Sequence, residues 1–297
     1  RCHHCGAKGG VIEWVMRTQD VESWDAAKAL GRRIGLDIRP TREEIAREER
    51  HVVFRRFAEK YRELPGPARE YLRSRGLSDE FIEDHLIGWI PEGAPEEDDQ
   101  ALREAGIPYL LRGRVVIPFW QGRQIVYFTG RLIGDPSNGT PKFKNCKGHK
   151  THIGTVRGPV LWVTEGIFDQ LLLEQAGVNA IGIAGSGGKI KLHKGVKRVV
   201  MAMDNDDAGR RFTEQQALDF ALSGAAVEVI EWPDGVKDMA EYLAAGGKLG
   251  DLKSQPLHVI YRAALIANKD DLNLKREFYR LIATLDALTR EKEMMAL

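Results

Sequence analysis

Cysteine is scarce in this sequence of 297 residues, with single residues at Cys2, Cys5 and Cys146. Small secreted proteins that depend on disulfides have more, so the composition excludes a disulfide framework and favours a reducing compartment. Long apolar runs are also lacking, since no stretch of about 18 apolar residues and no signal-peptide pattern is present. We therefore expect a cytoplasmic protein with no membrane partner.

Net charge is almost absent as well, because 44 Lys and Arg balance 43 Asp and Glu. This balance conceals an asymmetry along the chain. Residues 103–157 contain ten Lys or Arg and two acids, whereas residues 158–250 contain nine Lys or Arg and thirteen acids. The basic block could bind a polyanion and the acidic block could bind metal ions. Alternatively, both blocks could be ordinary solvated surfaces. Charge alone favours the second interpretation.

The sequence does contain clear secondary-structure patterns. Helical spacing covers residues 9–35, and a Thr41–Glu44 capping box opens a polar helix that runs to about residue 64. Two short helices and the strand candidates RVVIPF and QIVYFTGRLI follow. From residue 160, apolar strands alternate with helices, which predicts a parallel sheet covered on both faces. Residues 250–297 read as helices.

Acidic residues follow three of the predicted parallel strands. Glu165 ends VLWVTEG, and Asp169 lies one helical turn further on. Asp204 ends RVVMAMD with Asp206 two residues later, and Asp238 follows AVEVIEWPDGVK. Because ligands bind outside the carboxyl ends of such strands, we expect these carboxylates at one edge of the sheet. Divalent ions with oxygen ligands would relieve their repulsion, and two ions could support in-line phosphoryl transfer.

Some of these acids have a simpler interpretation. A carboxylate near a helix N-terminus can be a cap, which contributes about 0.3–1 kcal/mol through the helix dipole. This alternative stays open for Asp169, Asp207 and Asp238. It is weaker for the acids that directly end a strand, because one cap does not require the sequence DND.

The segments VTEGIFDQLLL, MAMDNDDAGRR and GVKDMAEYL have the order and spacing of a Toprim domain, which this chain resembles. The preceding segments YLRSRGLSDEFIEDHLIGW, LRGRVVIPFWQGRQIVYFTGRLI and PKFKN resemble the amino-terminal half of the RNA polymerase domain of DnaG-type primases. CHHCGAKGGVIEWVM resembles the second half of the zinc ribbon of those primases. The resemblance covers nearly the whole chain and implies a bacterial or phage DNA primase.

Five regions are implied by this resemblance. They are a remnant of a zinc ribbon plus helices (1–35), a helical linker (36–65), a basic amino-terminal subdomain of the RNA polymerase domain (66–157), the Toprim domain (158–249) and a helical carboxy-terminal subdomain (250–297). The implied fold class is α/β, α+β overall, and its centre is a Toprim-type parallel sheet with helices on both faces.

The resemblance also implies roles for the acids. Glu165, Asp204 and Asp206 would be the catalytic carboxylates, and together with Asp169 and Asp238 they would hold two or more Mg²⁺ or Mn²⁺ ions. One departure concerns the second metal site, because the family often carries a further acid where this chain has alanine. That position is Ala240, and either of two nearby acids, Asp207 or Glu241, could compensate.

Basic and polar residues would hold nucleic acid or nucleotide. The resemblance places four of them in a basic groove that faces the acids, and a fifth in the Lys-Asp segment: Arg114, Arg131, Lys142, Asn145 and Lys237. Phosphate contacts by such side chains would give binding that does not depend on sequence and weakens with salt.

Two of the cysteines have the spacing of half a zinc site. Cys2 and Cys5 would supply two of the four ligands that a structural Zn²⁺ requires. In the family the other pair lies upstream, so we expect the chain to begin inside its zinc domain and Zn²⁺ to be bound in the complete protein. A less favoured internal alternative is CKGHKTH, which offers Cys146, His149 and His152.

The implied function is synthesis of short RNA primers from ribonucleoside triphosphates on a single-stranded DNA template. An RNA–DNA primer duplex and a replicative helicase would be further partners. A Toprim nuclease is the nearest alternative, but it does not need the basic subdomain. A non-catalytic zinc and Toprim recombination mediator places zinc close to the Toprim core, whereas about 150 residues intervene here. A topoisomerase needs a nucleophilic tyrosine, for which Tyr242, Tyr261 and Tyr279 have no suitable context.

Overall fold

A computed structural model describes residues 10–19, 21, 23–36, 41–134, 139–148, 152–156, 158–183, 190, 192 and 195–297. The chain divides into two compact units, Arg1–Phe54 and Arg55–Leu297. Within the described ranges, no helix is long and apolar enough to cross a membrane.

Helices make up the described part of the first unit. Helix α1 (Val11–Gln19) contacts α2 (Ser23–Arg33), and α3 (Arg42–Lys60) begins in this unit and ends in the second. The predicted capping box at the start of α3 is confirmed. The Glu44 amide donates to Thr41 Oγ1 at 3.2 Å, and the Thr41 amide donates to Glu44 Oε2 at 2.7 Å.

The second unit begins with an antiparallel sheet of four strands in the order β1-β2-β3-β4. The two strands predicted from RVVIPF and QIVYFTGRLI are confirmed as a hairpin, which turns at Gly122 with φ of 61°. Its strands and the accompanying helices are β1 (Gly88–Ile90), β2 (Arg114–Gln121), β3 (Gln124–Arg131), β4 (Phe143–Asn145), α4 (Gly66–Ser74), α5 (Asp79–Asp84) and α6 (Gln100–Glu104).

A second sheet of five strands has the order β6-β5-β7-β8-β9. Its first four strands are mutually parallel, which confirms the parallel sheet predicted from residue 160 onwards. These strands are β5 (Val160–Thr164), β6 (Ala180–Gly182), β7 (Arg198–Ala202) and β8 (Ala226–Glu231). The chain leaves β5 towards β6 on one side and returns to β7 on the other, so the strand order reverses between β5 and β7.

Helices cover both faces of this sheet, as predicted. Alternate residues of each strand point to opposite faces, so Val199 and Met201 pack on one side while Val200 and Ala202 pack on the other. The first face is covered by α8 (Asp207–Leu222), α10 (Leu257–Ala267) and α11 (Leu272–Ile282), and the second by α7 (Ile167–Gln175) and α9 (Met239–Ala244). Helix α12 (Ala287–Met295) packs against α10.

The prediction that residues 250–297 are entirely helical is wrong for one short segment. Strand β9 (Lys253–Pro256) pairs antiparallel with β8 and closes the edge of the sheet. Its sequence KSQP carries no apolar alternation, and a proline is tolerated there because an edge strand leaves one row of amides unpaired. Polar contacts anchor it instead, including a 2.6 Å hydrogen bond from Ser254 Oγ to Glu228 Oε2.

The helices after β9 complete the core of the parallel sheet. Phe278 on α11 is 0% exposed, whereas Leu272 at the start of the same helix is 79% exposed. Phe278→Ala should therefore lower the free energy of unfolding by about 3–5 kcal/mol, because a cavity replaces a buried ring. Leu272→Ala should change it by less than about 0.5 kcal/mol.

Denaturant unfolding of the two variants measures both values. If Phe278→Ala cost no more stability than Leu272→Ala, α11 would not be part of the core of the sheet.

Candidate active site at the carboxyl edge of the parallel sheet

The strand order reverses at the carboxyl ends of β5 and β7, and open parallel sheets bind ligands at such a position. Glu165 directly follows β5, and Asp204 lies two residues beyond β7. The loop from β8 to α9 brings Asp238 to the same edge. The predicted convergence is present, since Asp204 raises the pKa of Glu165 and Asp238 raises the pKa of Asp204 by charge repulsion, in each case adding to burial.

Glu165 lies at the centre of this edge. Its Oε2 atom is buried and has no hydrogen-bond partner within the described part of the chain. Burial raises the pKa of the Glu165 carboxyl, and Asp204 and Asp206 raise it further. A buried carboxylate oxygen without a donor is normally satisfied by something outside the protein, and a cation is the ligand that this charge selects.

Asp204 and Asp206 are carried by a tight turn. The Asp206 amide donates to the Asp204 carbonyl at 2.8 Å, and the Gly209 amide donates to Asp206 Oδ1 at 2.9 Å. A Cβ atom at residue 209 would lie 2.1 Å from the Asp204 carbonyl oxygen. Only glycine fits at this position, which explains why DNDDAG needs a glycine at its end.

Asp169 lies in the first turn of α7 and is 6% exposed. Its Oδ1 atom accepts a 2.9 Å hydrogen bond from the Ala240 amide, and a Cβ atom at Gly166 would lie 2.1 Å from its Oδ2 atom. Burial and the charge of Asp238 raise the pKa of Asp169 to about 6. Asp169 is therefore a buried acid held between two chain segments, and a simple helix cap is the wrong interpretation.

For Asp238 the alternative of a cap describes what the structure shows. Asp238 Oδ1 accepts from the Glu241 amide at 2.8 Å, and Glu241 Oε2 accepts from the Lys237 amide at 2.8 Å. Lys237 Nζ lies 3.5 Å from Asp204 Oδ2, and this contact is the main reason that the pKa of Lys237 is raised. Asp238 thus caps α9 while its charge still acts on Asp169 and Asp204.

Neither candidate to replace an acid at Ala240 is available for that role. Glu241 is occupied by the capping box. Asp207 is exposed, and one of its oxygens accepts from Arg210 Nη2 at 2.7 Å, which lowers its pKa. The structure therefore assigns no substitute carboxylate to this position among these two residues.

The donor set fits a hard divalent cation, because carboxylate oxygens are the ligands that Mg²⁺ and Mn²⁺ prefer. Among the described residues, no three of the His, Cys, Asp or Glu side chains lie in an arrangement that could hold a metal ion by themselves. An ion at this edge would need further ligands from water and from substrate phosphates, which is the usual arrangement for Mg²⁺.

The basic residues of the first sheet adjoin the acidic edge through aromatic rings. Arg131 Nε donates to the Tyr71 hydroxyl at 2.9 Å, and its guanidinium lies 4.9 Å from the Phe143 ring centre. Tyr71 in turn meets Phe168, the neighbour of Asp169, edge to face at 6.0 Å. This chain of contacts connects the antiparallel sheet to α7 of the parallel sheet.

Lys142 and Asn145 flank Phe143 on the β4 side of this sheet. Lys142 is exposed. Asn145 is less accessible, because its Oδ1 atom accepts a 2.8 Å hydrogen bond from Thr129 Oγ1 on the neighbouring strand. Lys142 is thus free to meet a phosphate, whereas Asn145 is partly committed to strand pairing.

Arg114 differs from its predicted place in a groove. It is 2% exposed, and its Nη1 atom donates to the carbonyls of Pro141 and Lys142 at 3.0 and 3.2 Å. Burial lowers its pKa. Arg114 therefore fixes the segment that carries Lys142 and does not itself present a charge to a ligand.

Arg75 was missed by the sequence analysis. Its guanidinium lies 4.8 Å from the Phe168 ring centre, and its charge lowers the pKa of Asp169. Its Nε atom is buried with no hydrogen-bond partner in the described ranges. The segment SRG reads as an ordinary helix end with a cation near the C-terminus, so nothing in the sequence marks this arginine.

The two zinc predictions have different outcomes. Cys2 and Cys5 lie outside the described residues, as does His149. For the internal alternative, Cys146 is buried, and its Sγ atom accepts from the Phe128 amide at 3.4 Å. Burial lowers the pKa of His152. These contacts give Cys146 a structural role and do not favour a zinc site there.

Comparison with known proteins agrees with this geometry. Residues 162–243 match a family model described as Toprim-like. A DNA primase from Deinococcus radiodurans is 30% identical over 291 residues, which cover 84% of this chain and 50% of that protein. The chain is a homologue of the DNA primases. A Thermotoga maritima DNA primase is 27% identical over 85% of this chain and 51% of its own length.

This primase homologue spans about half the length of the curated relatives that it matches. The zinc-binding and RNA polymerase domains of the Aquifex aeolicus primase superpose with a TM-score of 0.65 at 23% identity, covering 100% of this chain and 83% of that one. A DnaG primase catalytic domain solved with single-stranded DNA gives 0.63 at 22% identity, covering 84% and 97%. The Toprim fold predicted for the parallel sheet is thereby confirmed.

Asp169 makes the stability of this primase homologue depend on pH. Its pKa rises from 3.8 to about 6 on folding, so the folded chain binds this proton more tightly than the unfolded chain. The ion-free fold is therefore destabilised above about pH 6, and this penalty disappears as the pH falls towards 3.8.

Asp169→Asn removes the charge and keeps an acceptor for the Ala240 amide. Without metal, it should raise the free energy of unfolding by roughly 1–3 kcal/mol at about pH 7.5 and by much less at about pH 4. Denaturant unfolding at both pH values measures the difference. An equal effect at both would contradict the assignment of the raised pKa to Asp169.

Proposed function

We propose that this chain contains the nucleotide-polymerising centre of a DNA primase, which extends RNA primers on single-stranded DNA. The observation that carries the proposal is the group of carboxylates Glu165, Asp204 and Asp206 at the point where the strand order reverses. A basic antiparallel sheet connects to this edge through Arg131, Tyr71 and Phe168. Nucleotide transfer requires acidic side chains that bind divalent ions and, close to them, basic side chains that bind phosphates.

In the proposed reaction, a 3′-hydroxyl oxygen bonds to the α-phosphorus of a ribonucleoside triphosphate and loses its proton to water. The bond from that phosphorus to pyrophosphate breaks, and pyrophosphate leaves. Mg²⁺ or Mn²⁺, when bound, would supply the positive charge that stabilises the attacking and leaving oxygens. Glu165, Asp204 and Asp206 would hold the ions, and Asp169 and Asp238 would support a second ion through their negative charge, which in the case of Asp238 already acts on Asp204.

Lys237 would contribute charge directly. Its Nζ atom is 3.5 Å from Asp204 Oδ2 and belongs to an exposed side chain, so it can turn towards a phosphate without losing a buried contact. A cation placed where negative charge accumulates on the reacting phosphate favours the transition state.

Arg131 and Lys142 would hold the template or primer backbone by contacts to phosphate that do not read the base sequence. Asn145 would assist from the neighbouring strand position, and Arg114 would act only by fixing the segment of Lys142. We extend the proposal to the complete protein, in which Zn²⁺ bound by Cys2, Cys5 and further ligands would help to select a start site and a replicative helicase would be a partner.

A topoisomerase has little support from the tyrosines. Tyr242 and Tyr261 are buried, and the Tyr242 hydroxyl donates to the Lys248 carbonyl at 3.0 Å. Tyr279 is 40% exposed on α11, and its ring centre lies 5.9 Å from that of Phe278. A nuclease would use the same carboxylates with water as the nucleophile. The products separate these activities, since a primase lengthens labelled ribonucleotides whereas a nuclease shortens labelled DNA.

The first test incubates the chain with single-stranded DNA, labelled ribonucleoside triphosphates and Mg²⁺ or Mn²⁺, beside the complete protein as a control. Asp204→Asn should lower the rate of oligoribonucleotide synthesis at least about 100-fold, because the ion that stabilises the charge of the reacting phosphate would lose a charged ligand. Asp207→Asn should leave the rate within about twofold, since that carboxylate is exposed and paired with Arg210.

Normal synthesis by the Asp204 variant would contradict the proposed role of the carboxylates in the reaction. Shortened DNA and no labelled RNA would replace the proposal with a nuclease. Binding of DNA with neither product, in the complete protein also, would indicate a mediator.

The second test concerns Lys142. Lys142→Ala should weaken binding of single-stranded DNA and reduce the slope of log affinity against log salt by about 0.7, because one phosphate contact is lost. Fluorescence anisotropy at several salt concentrations measures this slope. Lys275→Ala on α11 serves as the control and should leave the slope unchanged, and an unchanged slope in both variants would exclude Lys142 from the template path.

A further inference from the structure

The turn that carries Asp204 and Asp206 is fastened to the loop between β8 and α9 through the residue between the two acids. The Asn205 amide donates to the Lys237 carbonyl at 2.7 Å. Its side-chain Nδ2 atom donates to the Val236 carbonyl at 3.1 Å. Asn205 therefore holds two successive carbonyls of the opposite loop, one through its backbone and one through its side chain.

The same loop holds the turn from its other end. Trp232 follows β8, and its indole Nε1 atom donates to the Met203 carbonyl at 2.8 Å. Met203 directly precedes Asp204, so this bond fixes the peptide from which the acid projects. The indole ring is itself anchored, because it packs edge to face on buried Tyr242 at 6.5 Å within the core beneath α9.

The loop also reaches the third strand end. Immediately after Lys237, Asp238 caps α9. The Ala240 amide then binds Asp169 Oδ1 at 2.9 Å. The β8–α9 loop and the first turn of α9 thus join Asp169 to the acids that follow β7, and Asn205 and Trp232 supply the side-chain bonds between this loop and the turn after β7.

These bonds oppose the repulsion among the acids. Before an ion binds, like charges at this edge favour wider separation of the strand ends. Neutral hydrogen bonds to backbone carbonyls resist that movement and, unlike an exposed ion pair such as Lys237 with Asp204, are little weakened by salt. Groups that orient ion-binding residues in this way commonly change ion affinity about 10–100-fold when removed.

We propose that Asn205 and Trp232 are positioning residues that hold Asp204 and Asp206 in the arrangement that binds divalent ions. This inference rests on the proposed function only for the identity of the ion site. Loss of either side-chain bond should therefore lower the affinity for the ion. A comparable bond lost elsewhere should lower the melting temperature equally but leave that affinity unchanged.

The test measures binding of Mn²⁺ alone, by its electron paramagnetic resonance signal, to the wild-type chain and to Asn205→Ala and Trp232→Phe. Each variant should bind Mn²⁺ at this site about 10-fold more weakly than the wild type. Trp232→Phe keeps an aromatic ring on Tyr242 and removes the N–H donor. Asp204→Asn identifies the site, because it should abolish the same binding.

Two matched controls lose the same kinds of bond elsewhere in the sheets. Trp120→Phe removes an indole bond to the His85 carbonyl at 3.2 Å, and Asn179→Ala removes an amide bond to the Val160 carbonyl at 2.6 Å. Both should lower the melting temperature as much as the test variants do and leave Mn²⁺ affinity within about twofold of the wild type.

Wild-type Mn²⁺ affinity in both test variants would overturn the inference, as would equal losses in test and control variants. The inference would also be overturned if the wild-type chain showed no Mn²⁺ binding that Asp204→Asn abolishes. If the affinities change as expected but the complete protein makes no primers, the positioning role stands and the proposed function fails.

Discussion

Repulsion among half-buried and buried carboxylates is the constraint on which this structure depends. Strand order brings Glu165 and Asp204 to one edge of the sheet, and burial together with the charges of neighbouring acids raises the pKa of both carboxyls. Such a cluster destabilises the fold unless something offsets it. Backbone amides and the Lys237 ammonium offset part of it, and the buried Glu165 Oε2 atom is left for a ligand from outside the protein.

This constraint also explains how the two sheets are joined. Arg75 and Arg131 do not pair with the acids at hydrogen-bond distance in the contacts seen here; they pack against Phe168 and Phe143. An arginine that stacks on a ring keeps its charge close to the acidic edge while the carboxylate oxygens stay available. In the proposed function, this arrangement would keep positive charge beside the ions, and a phosphate could contact both.

Much of the fold could be predicted from the sequence because its patterns are strong. Apolar strands alternating with helices gave the parallel sheet, and Thr41 with Glu44 gave the start of α3. Strand β9 could not be predicted, because KSQP is held by pairing and by Ser254 and has no apolar period of its own.

The site was predictable to a similar degree. Acids that directly end strands were correctly brought to one edge, since the position of a strand end follows from the topology. Which of the polar side chains are buried could not be predicted from the sequence. Arg114 and Asp169 belong to motifs that look exposed, yet both are buried, and the bonds of Asn205 and Trp232 depend on a loop whose path is set by tertiary packing.

The most direct measurement of the central claim is the number of protons released when Mg²⁺ binds to the chain. Titration calorimetry in buffers of different ionisation enthalpy gives this number. Because Asp169 has a pKa of about 6 and those of Glu165 and Asp204 are raised, ion binding at about pH 6 should release protons, and release should disappear at about pH 8. Identical heats in all buffers at about pH 6 would contradict the claim that these carboxylates bind the ion.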